Sequence, residues 1–455
     1  MRAAFMPMFL TGLLATTTAT VTASAQVAPA AQAAPDTQAA PASAAPDLSD
    51  LLREKGLAAA LADLAGRGDA TPDTAMALAA VSFLRGIERA YQARWRIGES
   101  APLGQMLGLP VLTAQLPQNP APQPLEPDFL NRLAQGLIDD MTATRKALDG
   151  VDDSAALTLR PDAIWFDINQ NGQPDTAEGL AAFMPAQFGI PLAAATPQQD
   201  GSDQGNSGQG SADQGDSAAA PVVRFDAADA EWLRAYTHML SGFAEFLLAF
   251  YPEAALSMRI ATQQALADQW RGAMTGDGTA GDGRAVLTHE ADQFGPLADD
   301  ITTILSLLRH DPDPARLHAA RQHLRDMIAA NRRFWDKLGA ETDNDREWIP
   351  NDRQQAALGF ELPKGTGPAW QAVLTEAGSV LDGKLLVPFW RFAPDHGINI
   401  AKWFENPSAL DPVGWVQGAS ALPYAEKGPL SRADTLAQFA RMFDGPAGLY
   451  MILLN

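Results

Sequence analysis

The chain has 455 residues, 46% of them apolar, and carries a net charge of −21 at pH 7 without a single cysteine. That apolar share is globular rather than disordered, and the missing cysteines exclude disulfides, thiolate metal ligands and a cysteine-linked lipid anchor. The charge repels phosphate backbones and anionic lipids and draws divalent cations, so nucleic acid is not an expected partner.

The first elements concern export. Met1-Arg2 begins the chain with a positive charge, Phe5 to Leu14 is largely apolar, and small residues lead to Ala23-Ser24-Ala25 before Gln26. This is the layout of a cleavable secretory signal over residues 1–25, with periplasmic or secreted localisation. The apolar run falls short of the roughly 20 residues that a bilayer span needs. Residues 26–46, with Pro29, Pro35, Pro41 and Pro46, read as a disordered Ala/Pro-rich spacer.

Residues 47–455 form the expected globular region, in three parts: 47–195, 196–220 and 221–455. Helical patterning starts near Leu48, and Thr71-Pro72-Asp73 marks a second helix start, a capping residue followed by proline. Met76, Leu84, Ile87, Tyr91 and Trp95 then recur at turn-like intervals. After the proline-rich stretch from Pro117 to Pro127, Leu130, Leu133, Leu137, Met141 and Leu148 predict a further helix that stops at Gly150. Thr196 to Ala220 holds only Gln, Asp, Gly, Ser, Ala and similar residues, and reads as a disordered surface insertion. The flanking stretches Ile164–Asp167 and Val223–Asp226 have similar strand-like patterns, and are expected to pair and close that insertion into a loop. Asp229 is expected to cap a core helix through Tyr251, with Trp232, Tyr236, Leu240, Phe243, Leu247 and Phe250 on one face. Met274 to Arg284 reads as a Gly/Asp loop. Pro314 to Leu338 and Pro368 to Leu381 read as helices, and six prolines from Pro388 to Pro429 break the last seventy residues into short elements. The fold class is therefore mainly α: a multi-helix globular protein with a few short strands near residue 167 and an irregular C-terminal third.

Asp167-Ile168-Asn169-Gln170-Asn171-Gly172-Gln173-Pro174-Asp175-Thr176-Ala177-Glu178 fits D-x-[DN]-x-[DN]-G-x5-E at every specified position. This segment resembles the calcium loop of EF-hand proteins, and the resemblance covers these residues and no more of the chain. Calcium takes six to eight hard oxygens, and the alternation lets Asp167, Asn169 and Asn171 curl inward around one ion. Gly172 supplies the sharp turn, and Gln173 offers its backbone carbonyl. Asp175 binds directly or through water, and Glu178 closes the shell with both oxygens. An exiting helix is expected from Thr176. Pro174 cannot donate the backbone bond that joins paired loops, and Pro161 argues against a regular entering helix. The expectation is a lone, structural calcium loop whose ends, Asp167 and Glu178, meet only through the ion.

Other motifs carry less. Glu341, Asp343, Asp345 and Glu347 alternate in a way that could ligate a second cation, but Arg346 stands where a calcium turn would want glycine, so a solvated charged face is the expectation. Gly276 to Gly281 spells GxGxxG without a preceding strand, beside Asp277 and Asp282, which would repel a pyrophosphate. His318 and His323 are five apart and share no helix face, so with His310 they read as surface or capping residues. Trp335, Trp348, Trp370, Trp390, Trp403 and Trp415 are read as core rather than as a sugar-stacking platform.

The functional expectation is an exported, calcium-stabilised helical protein that acts by binding or assembly, with an unassigned protein or polysaccharide partner. The alternative is an exported hydrolase or lyase that uses the Glu341–Glu347 run, for which carboxylates converging in an open pocket beside an exposed tryptophan would speak. Intact-mass measurement of the exported protein should give a chain starting at Gln26; a retained Met1 would overturn the signal reading.

Overall fold

The computed structural model describes residues 47–68, 71–98, 116–180, 221–275, 283–442 and 454. The signal, the spacer, the insertion at 196–220 and the GxGxxG segment lie outside the described residues. Eleven α-helices and five short strands occur among the described residues. The protein is mainly α, as the periodicity predicts.

Helices α1 (Leu48–Gly66), α2 (Pro72–Arg96), α3 (Phe129–Leu148) and α4 (Ala227–Ala249) pack in succession, each against the next. Helices α5 (Pro252–Thr275) and α6 (Gly283–Arg309) pair with each other; Met274, Thr275, Gly283 and Arg284, expected in a loop, are helical, and the rest of that stretch lies outside the described residues. Helix α7 (Pro314–Ala340) lies along α4 in the most extensive helix contact among the described residues, and passes the core on to α8 (Thr366–Leu381). One continuous apolar cluster runs from Leu51 through α4 and α7 to Phe439 and Leu454.

Local chemistry explains where the helices start. Thr71 Oγ1 accepts from Thr74 N at 3.2 Å, with Pro72 at the first helical position. Asp313 caps α7 ahead of Pro314 in the same way. At α4 the cap is Asp226, not Asp229. The Asp226 carboxylate accepts from Ala228 N at 2.8 Å, and Asp229, three residues on, reaches back to accept from Asp226 N at 3.1 Å. This reciprocal capping box starts the helix earlier than a single-residue cap at Asp229 would.

The strand pairing also differs from the expectation. Strand β1 (Leu157–Leu159) pairs antiparallel with β2 (Val223–Phe225), in the register Leu157↔Phe225 and Leu159↔Val223. Leu157 and Leu159 are buried while Thr158 is exposed, the period-2 alternation of a half-buried strand. Ile164, Trp165 and Phe166 are buried without alternation; they pass through the core instead of lining a sheet. The C-terminal third is irregular as expected: β3 (Val387–Pro388), β4 (His396–Ile398) and β5 (Ala425–Lys427) form a small antiparallel sheet among three short helices, α9 (Ile400–Glu405), α10 (Pro412–Gln417) and α11 (Ala433–Ala440). Five of the six C-terminal tryptophans are buried, as core residues should be, and Trp390 is 60% exposed.

Among the described residues no single helix is long and apolar enough to cross a membrane. Helix α4 and the first part of α5 have the length and composition together, but they bend by 59°, and the apolar face of α4 is buried in the core.

Helix α1 is kinked at Gly56, which has φ +73° and ψ 178°, a backbone region essentially restricted to glycine. The kink seats Trp165: its ring carbon Cζ2 lies 2.9 Å from where a Cβ on Gly56 would stand. Trp165 Nε1 donates to Leu52 O, one turn earlier, at 3.0 Å. Gly56→Ala should therefore cost about 1–3 kcal/mol, through backbone strain and overpacking against the indole. Chemical unfolding checks this; an unchanged midpoint would mean that Trp165 is not held there.

Candidate metal centre

The chain leaves the Trp165 seat directly into the Asp167–Glu178 loop. Phe166 N donates to Glu178 O at 2.8 Å, Leu180 N to Ile164 O at 2.8 Å, and Trp165 bridges Gly179 in antiparallel fashion. The two ends of the loop are thus zipped by backbone hydrogen bonds, and the expectation that they meet only through an ion is overturned. The exiting helix is also corrected. Thr176–Glu178 is a single 3-10 turn, and Gly179 then turns extended to make the bridge. A chain committed to that bridge cannot continue as a helix from Thr176.

Within the loop, each short polar side chain folds back on the backbone ahead of it. Asp167 accepts from Gly172 N at 3.2 Å, Asn169 Oδ1 from Asn171 N at 2.9 Å, and Asn171 Oδ1 from Gln173 N at 2.7 Å. The turns require left-handed backbone at Gln170 (φ 60°) and Gly172 (φ 71°). Glycine takes that conformation freely, whereas Gln170 takes it at a cost of roughly 1 kcal/mol or more. Strain of this kind persists where the surroundings over-determine the loop.

Those surroundings include two residues of α2 that no loop motif could reveal. Glu88 Oε1 accepts from Asp167 N at 2.7 Å, and Gln92 Nε2 donates to Asp167 O at 2.8 Å. Arg85 Nη1 holds the other oxygen of Glu88 at 2.6 Å. Burial raises the Glu88 carboxyl above its ordinary pKa, and Arg85 pulls it back only in part. Phe166 meets Tyr91 of the same helix edge-on, with ring centroids 5.4 Å apart, and Ile168 is fully buried. The sequence signal for this support is faint: Glu88 and Gln92 stand four residues apart beside the apolar stripe of α2, where solvent-facing residues would also stand.

The ligand candidates divide into floor and rim. Glu178 is fully buried, while Asn171, Gln173 and Asp175 are exposed and Asp167 and Asn169 lie between. Glu178 Oε1 accepts from Ile168 N and Asn169 N, both at 3.1 Å. Its Oε2 is buried without a hydrogen-bond partner. Burial raises the Glu178 pKa above the ordinary carboxylate value; the two backbone donors lower it, and the neighbouring charges of Asp167 and Asp175 raise it. An ionised carboxylate is costly there unless a cation completes it. Asp175 does not converge with the others: its Oδ1 caps Ala177 N at 2.9 Å. Among the described residues, the trio of His, Asp or Glu ligand atoms lying within 4.8 Å of one another is His238, His323 and Asp326, not Asp167, Asp175 and Glu178.

The Glu341–Glu347 run is only in part the solvated face expected, because Glu347 is buried and Glu341 half-buried. Asp343 and Asp345 are exposed, with Arg224 3.9 and 3.7 Å away. Glu347 is buried and accepts from Asp345 N at 2.8 Å, while Glu341 accepts from Gln354 Nε2 at 3.1 Å. Burial pushes the Glu341 pKa up to about 7, with Asp226, Glu347 and Asp343 adding to it. The neighbouring pocket of about 830 Å³ is lined by residues of the 350–371 segment together with Trp335 and Gly339, and by none of the four carboxylates. Arg346 adopts φ 65°, so it takes the backbone conformation of the glycine it stands in for. Of the three histidines read as surface residues, His310 and His318 are exposed, but His323 is half-buried against His238, a partner 85 residues away.

Glu88→Ala should cost about 2–4 kcal/mol, somewhat below the penalty for breaking a fully buried pair because the Arg85 side chain remains 18% exposed. Glu88→Gln, which keeps an acceptor for Asp167 N, should cost less; equal losses by urea denaturation would show that the loop does not lean on this residue. Comparison of the chain with protein-family models, curated proteins and solved structures finds no match.

Proposed function

We propose that this chain is an exported calcium-binding protein, in which a single ion in the Asp167–Glu178 loop stabilises a helical body that acts by binding or assembly. The observation that carries the reading is the buried, unpartnered Oε2 of Glu178 at the floor of the loop. Asp167, Asn169 and Asn171 supply further side-chain oxygens, Gln173 its carbonyl, and Asp175 acts through water. Calcium's flexible, oxygen-rich shell suits this mixed set better than the smaller, stricter octahedron of magnesium. The half-open rim and the single loop suggest modest affinity, on the order of 10⁻⁴ to 10⁻³ M, as in extracellular modules.

The signal-like pattern of residues 1–25 supports the reading, because a site of that affinity fills where calcium is millimolar, as it is outside the cytoplasm. The zipped loop ends support it too: the protein side of the shell is organised in advance, and the ion need not gather it. What the ion adds is charge compensation for Glu178 and Asp167.

A substitution whose sign depends on calcium tests this. In chelator, Glu178→Gln removes a charge that burial penalises and keeps an acceptor for Ile168 N and Asn169 N, so melting should stay level or rise. In calcium the wild type should gain about 1 kcal/mol when free ion is about fivefold above the dissociation constant, and Glu178→Gln should gain nothing. Asp167→Ala should lose the calcium response as well. Calorimetry with no heat of binding at millimolar calcium, or an undiminished response in Glu178→Gln, would refute the proposal.

A further inference from the structure

Helices α4 and α7 approach closely at Gly242, where a Cβ would meet Ala320 O and His323 Cβ, each at 3.4 Å. His238 lies four residues before Gly242, on the same face of α4. That close approach brings His238 Nδ1 to 2.9 Å from His323 Nδ1. Asp326 follows His323 by three residues, so both project from one side of α7. The ligand atoms of all three residues lie within 4.8 Å of one another, and all three are half-buried. Gln322 Nε2 donates to one oxygen of Asp326 at 2.9 Å and orients the carboxylate.

We propose that His238, His323 and Asp326 form a second metal site, independent of the calcium loop, for a divalent transition ion of the zinc class. The ligand chemistry decides the class. Two imidazoles and one carboxylate suit zinc, cobalt or nickel, whereas calcium and magnesium prefer oxygen alone. An ion about 2.0–2.1 Å from each nitrogen, at angles between square and tetrahedral, sets the two nitrogens roughly 2.9–3.4 Å apart. The observed separation falls at the short end of that range. Three protein ligands leave a further position for water or a small anion, the arrangement of open rather than closed zinc sites. Because the ligands sit on two rigid, tightly packed helices, their spacing is fixed without the ion.

The charges around the site act in both directions. Burial lowers the His238 pKa to about 3, helped by Arg145, His323, Arg234 and Arg333 in turn. Burial also lowers His323, with Arg145 adding to the effect and Glu245 and Asp326 opposing it. Both imidazoles are therefore neutral at pH 7, as ligands must be. The same arginines repel a dication and Asp326 only partly offsets them, so affinity should fall below that of closed structural zinc sites. Arg234 and Arg333 are partly neutralised by Glu231, which lies 3.9 and 2.8 Å from them. Arg145 instead donates to Ser241 Oγ and Thr142 Oγ1, and its charge favours an anion in the open coordination position.

The test is cobalt titration of the full-length, chelator-stripped protein, followed by visible d–d absorption and calorimetry. One cobalt per chain should bind and be displaced by zinc. His323→Gln and Asp326→Asn should each weaken binding at least about tenfold, since loss of mere outer-shell partners already costs that much. Asp167→Ala should leave cobalt binding unchanged, which keeps this site distinct from the calcium loop. If a variant loses its helical circular dichroism, ¹⁵N imidazole spectra of the wild type decide the same question: two of the six histidines must shift with zinc. No cobalt spectrum in large molar excess, undiminished binding in both variants, or unmoved imidazole signals would each leave only a hydrogen-bonded histidine pair.

Discussion

The packing of α4 against α7 is the constraint on which the rest of this structure depends. Sixteen of the twenty-three residues of α4 are buried, too many for one amphipathic stripe, so the helix needs neighbours on almost every side. It finds them in α3, α7 and β2. Its buried polar groups find partners as well: Arg145 donates to Ser241, and Arg316 pairs with Glu245 at 2.8 Å. Each buried Leu, Phe or Met contributes roughly 1.5–3 kcal/mol by leaving water, and such residues fill both faces of this contact. On α7 the buried Asn331 accepts from Trp370 Nε1 at 3.1 Å and donates to Leu454 O at 2.6 Å. The C-terminal third is thereby tied to the same helix pair.

The Asp167–Glu178 loop stands at the other end of this framework and is held by different means. Its approach is fixed by an indole seated over a glycine kink, its first residue by Glu88 and Gln92, and its last by a backbone ladder. Ion-binding loops need not be so constrained, because an ion can gather its ligands at the expense of chain entropy. Here most of that entropy is already lost in the folded state. Beside the backbone strain at Gln170, an electrostatic penalty remains at the buried, unpartnered Oε2 of Glu178. A small ligand can correct such a defect without moving the surrounding chain.

The features legible in the sequence are those set by neighbours within about one helical turn. Thr71-Pro72 and Asp313-Pro314 are self-contained instructions, and the apolar intervals in α3 and α7 are enough to place those helices. The twelve-residue loop is visible for the same reason. What escapes depends on distant partners. The two strand-like stretches flanking the insertion are alike in composition, and only burial on both faces separates Ile164–Phe166 from the half-buried Leu157–Leu159. Asp229 looks like a cap because a capping box places acids at both of its ends. His323 reads as a surface residue because its partner lies on another helix, and Glu88 cannot be told from a solvent-facing glutamate until Asp167 is beside it.

The zipped geometry of the loop has a consequence for how the gene can change. The chain departs at Leu180, bonded to Ile164, and returns at Val223, paired with Leu159. Both exits are anchored to one short stretch of the same body. A substitution within 159–164 that loosens one anchor therefore bears on the other as well, so Leu159, Ile164 and their partners Val223 and Leu180 should change together.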